Sequence, residues 1–408
     1  MGENSAENQW VIDLEELQSI NSETEIEKRK KHCIYRVPNI MRELNDKAYT
    51  PQLVSLGPYH HGKAHLKPME RNKHAALAHY LERANKTLDE VREALRPKIQ
   101  ELMDAYDSLE EPWRDEDRFL DLMILDGCFF IEMMVWGNDE LWRRYMNRGL
   151  WMDMRRIENQ LPLLLLVILI EIGGHEVEDS KSFIRNCDEV PDTELKTIRG
   201  KGLHLLDISK RKMTTEGNYI HDRDLTVRTA TELFQAGVSF KLADSICYSD
   251  ISFTNGVLKL PHLYCHSNTE NMFLNYTAYE HIHKGTDNTV SNYVLFMDNI
   301  IDTDKDVALL RKANIMSCTT GSDSEIASLF NRLTQGLPLL DKIHVHSENV
   351  NMNIENYCNR RWHKWRAIFI QTYLSNPWVF ISFLAAFNLL VLTVIQTTYT
   401  IMPFYKNS

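Results

Sequence analysis

The chain has 408 residues, with 57 acidic against 46 lysine and arginine side chains and a formal net charge of −11. This surplus of negative charge argues against nucleic acid as the main ligand, because phosphate binding needs a basic face. The seven cysteines are an odd, scattered set without a Cys-x-x-Cys pair, which favours buried free thiols over a disulfide framework.

In chain order, residues 1–31 form a polar N-terminal extension without an apolar signal-peptide segment. Residues 32–372 are predicted to form the main domain, followed by a transmembrane helix at 373–400 and a short tail at 401–408. Apolar side chains at helical spacing predict the helices of the main domain. These helices are expected at 67–87, 118–135, 152–172, 225–236, 271–283, 290–301 and 324–333, with a last one from about 353 towards the membrane.

A different pattern occupies residues 238–261, where short segments are rich in β-branched and aromatic residues. Asn255-Gly256 lies between two of these segments, 250–254 and 257–260, and predicts a type I′ hairpin turn. Loops are predicted near 174–191 and 209–224. The sequence therefore predicts a mainly α fold: a large helical domain with a small antiparallel β-sheet or hairpin, plus a C-terminal transmembrane helix.

The C-terminal segment carries no charged side chain from Trp378 to Ile395. This length is sufficient for a helix, with some tilt, to cross a hydrocarbon layer about 30 Å thick. The alternative is a buried core helix, although core helices are usually shorter and more strongly patterned. We therefore predict a single-pass membrane protein, in the plasma membrane or an endomembrane, in contact with the lipid bilayer.

The two flanks of this segment differ in charge. Arg360, Arg361, Lys364 and Arg366 precede it, whereas Lys406 alone follows it. The positive-inside rule therefore places the large N-terminal part in the cytosol. An anchor this close to the C-terminus also predicts insertion after translation, in a tail-anchored topology.

One face of the predicted span carries small side chains. Ser382, Ala386 and Thr393 share a narrow face of a helix, and the first two have the small-xxx-small spacing that lets membrane helices approach closely. Asn388 lies on another face, from which it can bond across helices. The pattern favours a homo-oligomer or a membrane partner through this face; the alternative is that a span tolerates single polar residues.

The sequence contains no phosphate loop, dinucleotide fingerprint, G-x-S-x-G elbow or H-E-x-x-H motif. His60, His61 and His65 form the densest imidazole cluster, but no cysteine or second histidine pair completes a recognisable metal site. Four carboxylates lie beside apolar runs, where a buried acid pair can serve general acid–base catalysis: Asp126, Glu132, Asp153 and Glu158. More often such groups cap helices or pair with nearby arginines, here Arg155 and Arg156. We interpret these side chains as architectural and expect neither a metal nor a cofactor.

Two further groups of residues have a structural interpretation. Asp153 lies beside an apolar run, and the segment 158–162 is expected to tie a helix bend with side-chain hydrogen bonds, since Pro162 removes a backbone donor. Glycosylation sequons at Asn85 and Asn275 arise easily by chance in a chain of this length.

Several longer phrases follow one another in a fixed order. They include AYTPQLVSLGPYHHG (48–62), LKPMERNK (66–73), LDGCFFIE (125–132), ENQLPLLLL (158–166) and NPWVFISFLAAFNLLVLTVIQTTYT (376–400). In this ordered set the chain resembles a plant family, domain of unknown function 247, also called uncharacterised protein family 0481. The resemblance implies a plant-specific, largely helical protein with one C-terminal span and no established catalytic residues.

Relatives encoded at the self-incompatibility loci of grasses resemble the same family and are proposed as pollen-side recognition determinants. This implies recognition through protein contacts. Our first hypothesis is therefore a non-enzymatic recognition or scaffold protein at a membrane, with an unidentified protein partner. The alternative is a membrane-tethered enzyme that uses acidic and histidine residues of the N-terminal half. It requires His60, His61, Asp126 and Glu132 to converge in one pocket.

Overall fold

The computed structural model describes residues 31–136, 148–174, 203–214, 220–221, 228–319, 321–335, 344–345, 348–359 and 377–406. The chain divides into two compact units, Met1–Met213 with Asn268–Asp287, and Thr214–Ser267 with Asn288–Ser408. The predicted extension up to residue 30, the predicted loop from residue 175 to 191 and the basic flank at 360–376 lie outside the described residues. The single domain at 32–372 stays a prediction.

Helices account for most of the described chain. In chain order they are α1 (Asn39–Tyr49), α2 (Lys67–Ala84), α3 (Leu88–Leu95), α4 (Ile99–Met103), α5 (Glu116–Trp136), α6 (Arg148–Asp153), α7 (Leu163–Ile172), α8 (Leu205–Lys212), α9 (Ala230–Gln235), α10 (Thr269–Ile282), α11 (Thr289–Ile300), α12 (Asp304–Lys312), α13 (Asp323–Gln335), α14 (Glu348–Asn359) and α15 (Pro377–Lys406). Single 3-10 turns, Ala64–Leu66 and Arg96–Lys98, lead into α2 and α4.

The first unit contains α1 to α8 and α10. Its apolar core surrounds α5, which packs against α2 and α7. Gly127 allows α5 and α7 to pack closely, because a Cβ at this position would lie 2.4 Å from Leu169 Cδ1. The core is therefore a helical layer around one helix that is apolar on most of its faces.

The helix α2 begins where its proline predicts, with Pro68 in the first turn. It ends at Ala84 and is capped by Asn85, whose φ of 50° lies in the left-handed region. The predicted end at residue 87 is three residues late, because Thr87 instead caps α3 in a reciprocal capping box with Glu90.

The prediction of one helix over 152–172 is wrong. The structure ends α6 at Asp153 and begins α7 at Leu163, after Pro162. The intervening residues form turns tied by side chains, so the segment 158–162 is a break between helices rather than a bend. The predicted loop at 209–224 is also wrong at its start, because residues 209–212 complete α8.

Among the described residues, the second unit combines three small sheets with its helices. Their strands are β1 (Ile220–His221), β2 (Ser239–Leu242), β3 (Ser252–Thr254), β4 (Val257–Leu260), β5 (Leu263–Cys265), β6 (Met316–Cys318) and β7 (His344–Val345). The strand orders are β1-β7, β2-β4-β3 and β5-β6. This architecture confirms the predicted mainly α fold with a small sheet.

The predicted hairpin joins β3 and β4 in antiparallel register. Asn255 and Gly256 have φ values of 52° and 80°, as a type I′ turn requires. By contrast, β2 pairs with β4 in parallel, so the sheet is mixed rather than purely antiparallel. Tyr357 of α14 lies against the turn, where a Cβ on Gly256 would come within 2.5 Å of its hydroxyl.

The last helix, α15, contains a segment long and apolar enough to cross a membrane, Trp378–Tyr399. It has 22 residues and a mean hydropathy of 2.4, and none of it is buried against the rest of the described chain. Length and composition thus identify a candidate span at the predicted position.

Candidate functional site around residues 51–63

The predicted polar residues collect around a stretch of chain without regular secondary structure, residues 51–57. Val54, Ser55 and Leu56 in this stretch are almost completely buried. A buried segment outside a helix or sheet must find acceptors for its backbone N–H groups elsewhere. Side chains of the first unit supply them.

Asp153, at the end of α6, accepts most of these bonds. The backbone N–H groups of Gln52, Leu53 and Val54 donate to its carboxylate at 2.9, 2.6 and 3.1 Å. Arg156 holds the same carboxylate from the other side, at 3.0 Å, and also donates to the carbonyls of residues 47 and 48. Asp153 therefore fixes both the conformation and the position of the segment.

Asn159 and Asp126 also accept hydrogen bonds from backbone N–H groups of this stretch. The N–H of Leu56 donates to Asn159 Oδ1 at 2.7 Å, and Asn159 Nδ2 donates to the carbonyl of Val54 at 3.0 Å. The N–H of Gly57 donates to Asp126 Oδ2 at 2.8 Å. Gly57 has a φ of 74°, so the chain turns here in a conformation that favours glycine.

Lys73 is buried beneath the segment. Its ammonium lies 2.7 Å from Asp126, 2.9 Å from Glu70 and 3.1 Å from the Ser55 hydroxyl. Burial acts to lower the pKa of Lys73, but the two carboxylates outweigh it and raise the pKa. The charged form of Lys73 is therefore favoured, whereas burial raises the pKa of the Asp126 carboxyl although Lys73 and the Gly57 N–H act to lower it.

Glu158 organises the other end of the site. It accepts a 2.6 Å bond from the N–H of Val37, binds the Arg42 guanidinium and lies 2.9 Å from His60 Nε2. Burial works against its charge, yet these three donors lower the pKa of Glu158. Burial lowers the pKa of His60, so the imidazole is neutral at pH 7.

The four residues that the enzyme hypothesis requires have separate partners. His60 contacts Glu158, and Asp126 contacts Lys73 and Gly57. His61 packs edge-on against Trp113, with ring centroids 5.0 Å apart. Glu132 pairs with His79 at 2.7 Å and Arg83 at 2.8 Å.

These contacts support the architectural interpretation of the acids. His65 bonds the carbonyl of Pro51 at 3.0 Å, as expected for an imidazole that holds a turn. Across the ranges that the structure describes, no group of three or more His, Cys, Asp or Glu is arranged to hold a metal ion. The arrangement can hold backbone in place.

Several residues of the site were not predicted. The burial of Lys73 could have been predicted from the sequence, because Lys73 shares one helical face with Ala76 and Tyr80, both buried. The sequence offered no such signal for Arg42, whose partner Glu158 is distant along the chain. Arg156 pairs with Asp153 three residues before it, as expected for an acid beside nearby arginines.

A second buried polar group, on α8 and α10, was also not predicted. His204 Nδ1 accepts the N–H of Asp207 at 3.2 Å and caps α8, while Nε2 donates to the carbonyl of Cys33 at 2.9 Å. Asp207 in turn accepts from the Tyr279 hydroxyl at 3.2 Å. Burial lowers the pKa of His204 to about 4.

This depressed pKa predicts a loss of stability in acid. The unfolded imidazole binds a proton more tightly than the folded one. The contribution of His204 to the free energy of unfolding is therefore complete above the unfolded pKa and falls as the pH drops towards 4. The loss should approach about 3 kcal/mol. His204→Asn keeps a helix cap but cannot titrate. Urea midpoints between pH 7 and pH 4.5 should therefore fall more in the natural chain than in the variant; parallel curves would contradict the assignment.

Comparison with known proteins places the chain in a family. The family model DUF247, described as "Plant protein of unknown function", matches residues 34–392. The chain belongs to this family. Its similarity to "UPF0481 protein At3g47200" of Arabidopsis thaliana is 25% identity over 422 residues, covering 92% of the chain and 87% of that protein.

The putative UPF0481 protein At3g02645 of Arabidopsis thaliana is 29% identical over 212 residues, covering 50% of the chain and 37% of that relative. No solved structure matched the chain. The family phrases at 48–62, 66–73, 125–132 and 158–166 contain Ser55, Lys73, Asp126 and Glu158. Contacts of Lys73 with Ser55 and Asp126, and of Asn159 with Leu56, bring these four phrases together around residues 51–57.

Proposed function

We propose that this family member is a membrane-attached, non-enzymatic recognition or scaffold protein that acts through protein–protein contacts. The observation that carries the proposal is the set of hydrogen bonds and ion pairs that its candidate catalytic side chains make. Asp126, Asp153 and Glu158 are occupied by backbone N–H groups and buried cations. Such carboxylates build a rigid body and are poorly placed to exchange protons with a substrate.

The proposal places α15 in a bilayer, with the large N-terminal part in the cytosol and the tail on the other side. Its support is the length and apolarity of Trp378–Tyr399 together with the basic residues at 360–366. The sequon at Asn85 reports on this orientation because Asn85 is exposed, whereas Asn275 is buried and bonded to Ile157 and Ala48.

Orientation is tested by protease digestion of sealed vesicles that hold the full chain with a tag at each end. The N-terminal tag should be digested and the C-terminal tag protected, and the chain should show no mass shift on treatment with a glycosidase. Protection of the N-terminal tag, or a glycan at Asn85 removed by Asn85→Gln, would reverse the assignment.

Self-association through Ser382, Ala386 and Thr393 is part of the proposal. The hydroxyls of Ser382 and Thr393 donate to Trp378 and Leu389 carbonyls of their own helix, at 2.9 and 2.8 Å. The side chains of this face are therefore small, and their hydroxyls are bonded within their own helix. The Asn388 side chain is exposed on another face.

The double variant Ser382→Leu/Ala386→Leu should reduce the crosslinked oligomer in membranes several-fold, because bulk on this face separates the helices. Val391→Phe adds bulk on the opposite face and should leave the crosslinks unchanged. Equal crosslinking of all three chains would remove this face from the proposal.

The enzyme alternative is tested by comparing the full chain with Glu132→Gln. Untargeted mass spectrometry of a plant extract incubated with each protein should find no product that depends on Glu132, and proximity labelling should find the same neighbours. Glu171→Gln changes an exposed side chain and controls for differences in the preparation of the variants. A product formed by the natural chain and lost in Glu132→Gln at unchanged melting temperature would establish the enzyme and overturn the proposal.

A further inference from the structure

Two cysteines far apart in the sequence are neighbours in the second unit. The strands β5 and β6 pair in parallel, and their register places Leu263 opposite Met316 and Cys265 opposite Cys318. Backbone bonds hold both ends of the pair: Leu263 N–H donates to the carbonyl of Ile315 at 2.8 Å, and Thr319 N–H donates to the carbonyl of Cys265 at 3.0 Å. The register is therefore fixed on either side of the two cysteines.

The two thiols share one face of the sheet. Along β5, Leu263 and Cys265 are buried while Tyr264 is exposed, so the cysteine points inward. In a parallel pair, residues opposite each other project to the same side, which places Cys318 beside Cys265. Burial and the neighbouring Cys318 thiol both raise the pKa of Cys265. Neighbouring strands lie about 4.8 Å apart, within the Cα separations that disulfides span.

We propose that Cys265 and Cys318 form a dithiol site that a hydroperoxide converts to a disulfide between β5 and β6. Both cysteines are free thiols in the structure. Cys265 is 3% exposed and Cys318 is half-buried, so Cys318 meets the oxidant and Cys265 resolves the product.

The chemistry balances in two steps. The Cys318 thiolate attacks one peroxide oxygen, the O–O bond breaks, and the released hydroxide takes a proton to leave as water. The Cys265 thiolate then attacks Cys318 Sγ, the S–O bond of the sulfenic acid breaks, and a second hydroxide leaves as water. Two thiols lose two electrons, one peroxide gains them, and a dithiol reductant reverses the change.

The surroundings set the rate of this reaction. Burial raises the pKa of both thiols, while Arg311 acts to lower that of Cys318. Because the thiolate is the nucleophile, oxidation should be slow at neutral pH and accelerate about tenfold per pH unit until the thiol titrates. The closed disulfide would enclose α10, α11 and α12, so it restricts the unfolded chain over a long loop.

The test treats the full chain in detergent with hydrogen peroxide, blocks free thiols with N-ethylmaleimide and maps crosslinks by non-reducing mass spectrometry. The expected product is a peptide joined through Cys265 and Cys318, reversible by dithiothreitol. Oxidation should also raise the melting temperature by about 4 °C or more. Cys265→Ser and Cys318→Ser should each abolish both changes.

Cys247→Ser is the matched control, because Cys247 is another buried thiol of the same unit. It should leave the crosslink and the temperature shift intact. Oxidation of Cys318 to sulfinic acid without the 265–318 linkage, or a linkage to another cysteine, would overturn the proposal. Cys265→Ala and Cys318→Ala repeat the test if either serine variant has a lowered starting melting temperature.

Discussion

Replacing Asp153 with alanine is expected to lower the free energy of unfolding by about 3–5 kcal/mol, the cost of breaking a buried ion pair. The carboxylate is completely buried and accepts the N–H groups of Gln52, Leu53 and Val54. Its loss leaves these donors without their acceptor. The N–H of Val54 is buried, and a buried donor without a partner costs about 1–3 kcal/mol. The substitution also removes the charge that balances Arg156, which is itself 3% exposed.

The measurement is urea unfolding of the full chain in detergent, followed by far-ultraviolet circular dichroism. Asp117→Ala is the control, because Asp117 is paired with Arg96 at 2.8 Å but its side chain is 73% exposed. Such surface pairs contribute at most about 1 kcal/mol. If the two variants lose similar stability, Asp153 does not hold the 51–57 segment as described.

Removing the buried cation should have an effect of similar size. Lys73→Met leaves Asp126 buried without its main partner and is expected to cost about 3–5 kcal/mol. The double variant Lys73→Met/Asp126→Asn has no buried charge at these two positions, and the asparagine oxygen can still accept the N–H of Gly57. It should therefore be more stable than the sum of the single effects predicts, by about 0.5–3 kcal/mol.

A double-mutant cycle measured by urea unfolding checks this coupling. Lys98→Met serves as the control, since the Lys98 side chain is 49% exposed in its pair with Glu101 and should contribute less than about 1 kcal/mol. Strict additivity of the Lys73 and Asp126 effects would show that the pair is not energetically coupled.

The helix positions illustrate how far local pattern predicts this fold. Pro68 and the apolar spacing after it predicted α2 because helix initiation and amphipathicity depend on residues a few positions apart. Asn255-Gly256 predicted its hairpin for the same reason. The parallel pairing of β2 with β4 was not predicted, since nothing between residues 242 and 257 specifies the direction of the third strand.

The break between α6 and α7 shows where local pattern misleads. The long apolar run within 152–172 suggested one continuous helix, whereas the structure ends α6 at Asp153 and begins α7 at Leu163. The turns between them are stable because Asn159 and Gln160 bond backbone groups of residues 154–159 and of a distant segment. The bonds of Asn159 to Val54 and Leu56, and of Gln160 to Leu206, exist only once the 51–57 segment and α8 are in place.

The sequence by itself determined the element types, the family and the apolar C-terminal helix, because each depends on residues close together in the chain or on an ordered set of phrases. The tertiary structure decided what the polar residues do. Asp153 meets Leu53 across 100 residues of sequence, and the amide of Asn275 meets the carbonyl of Ala48 across 227. A hydrogen bond requires a partner within about 3 Å, and only the packed core fixes which groups reach that distance.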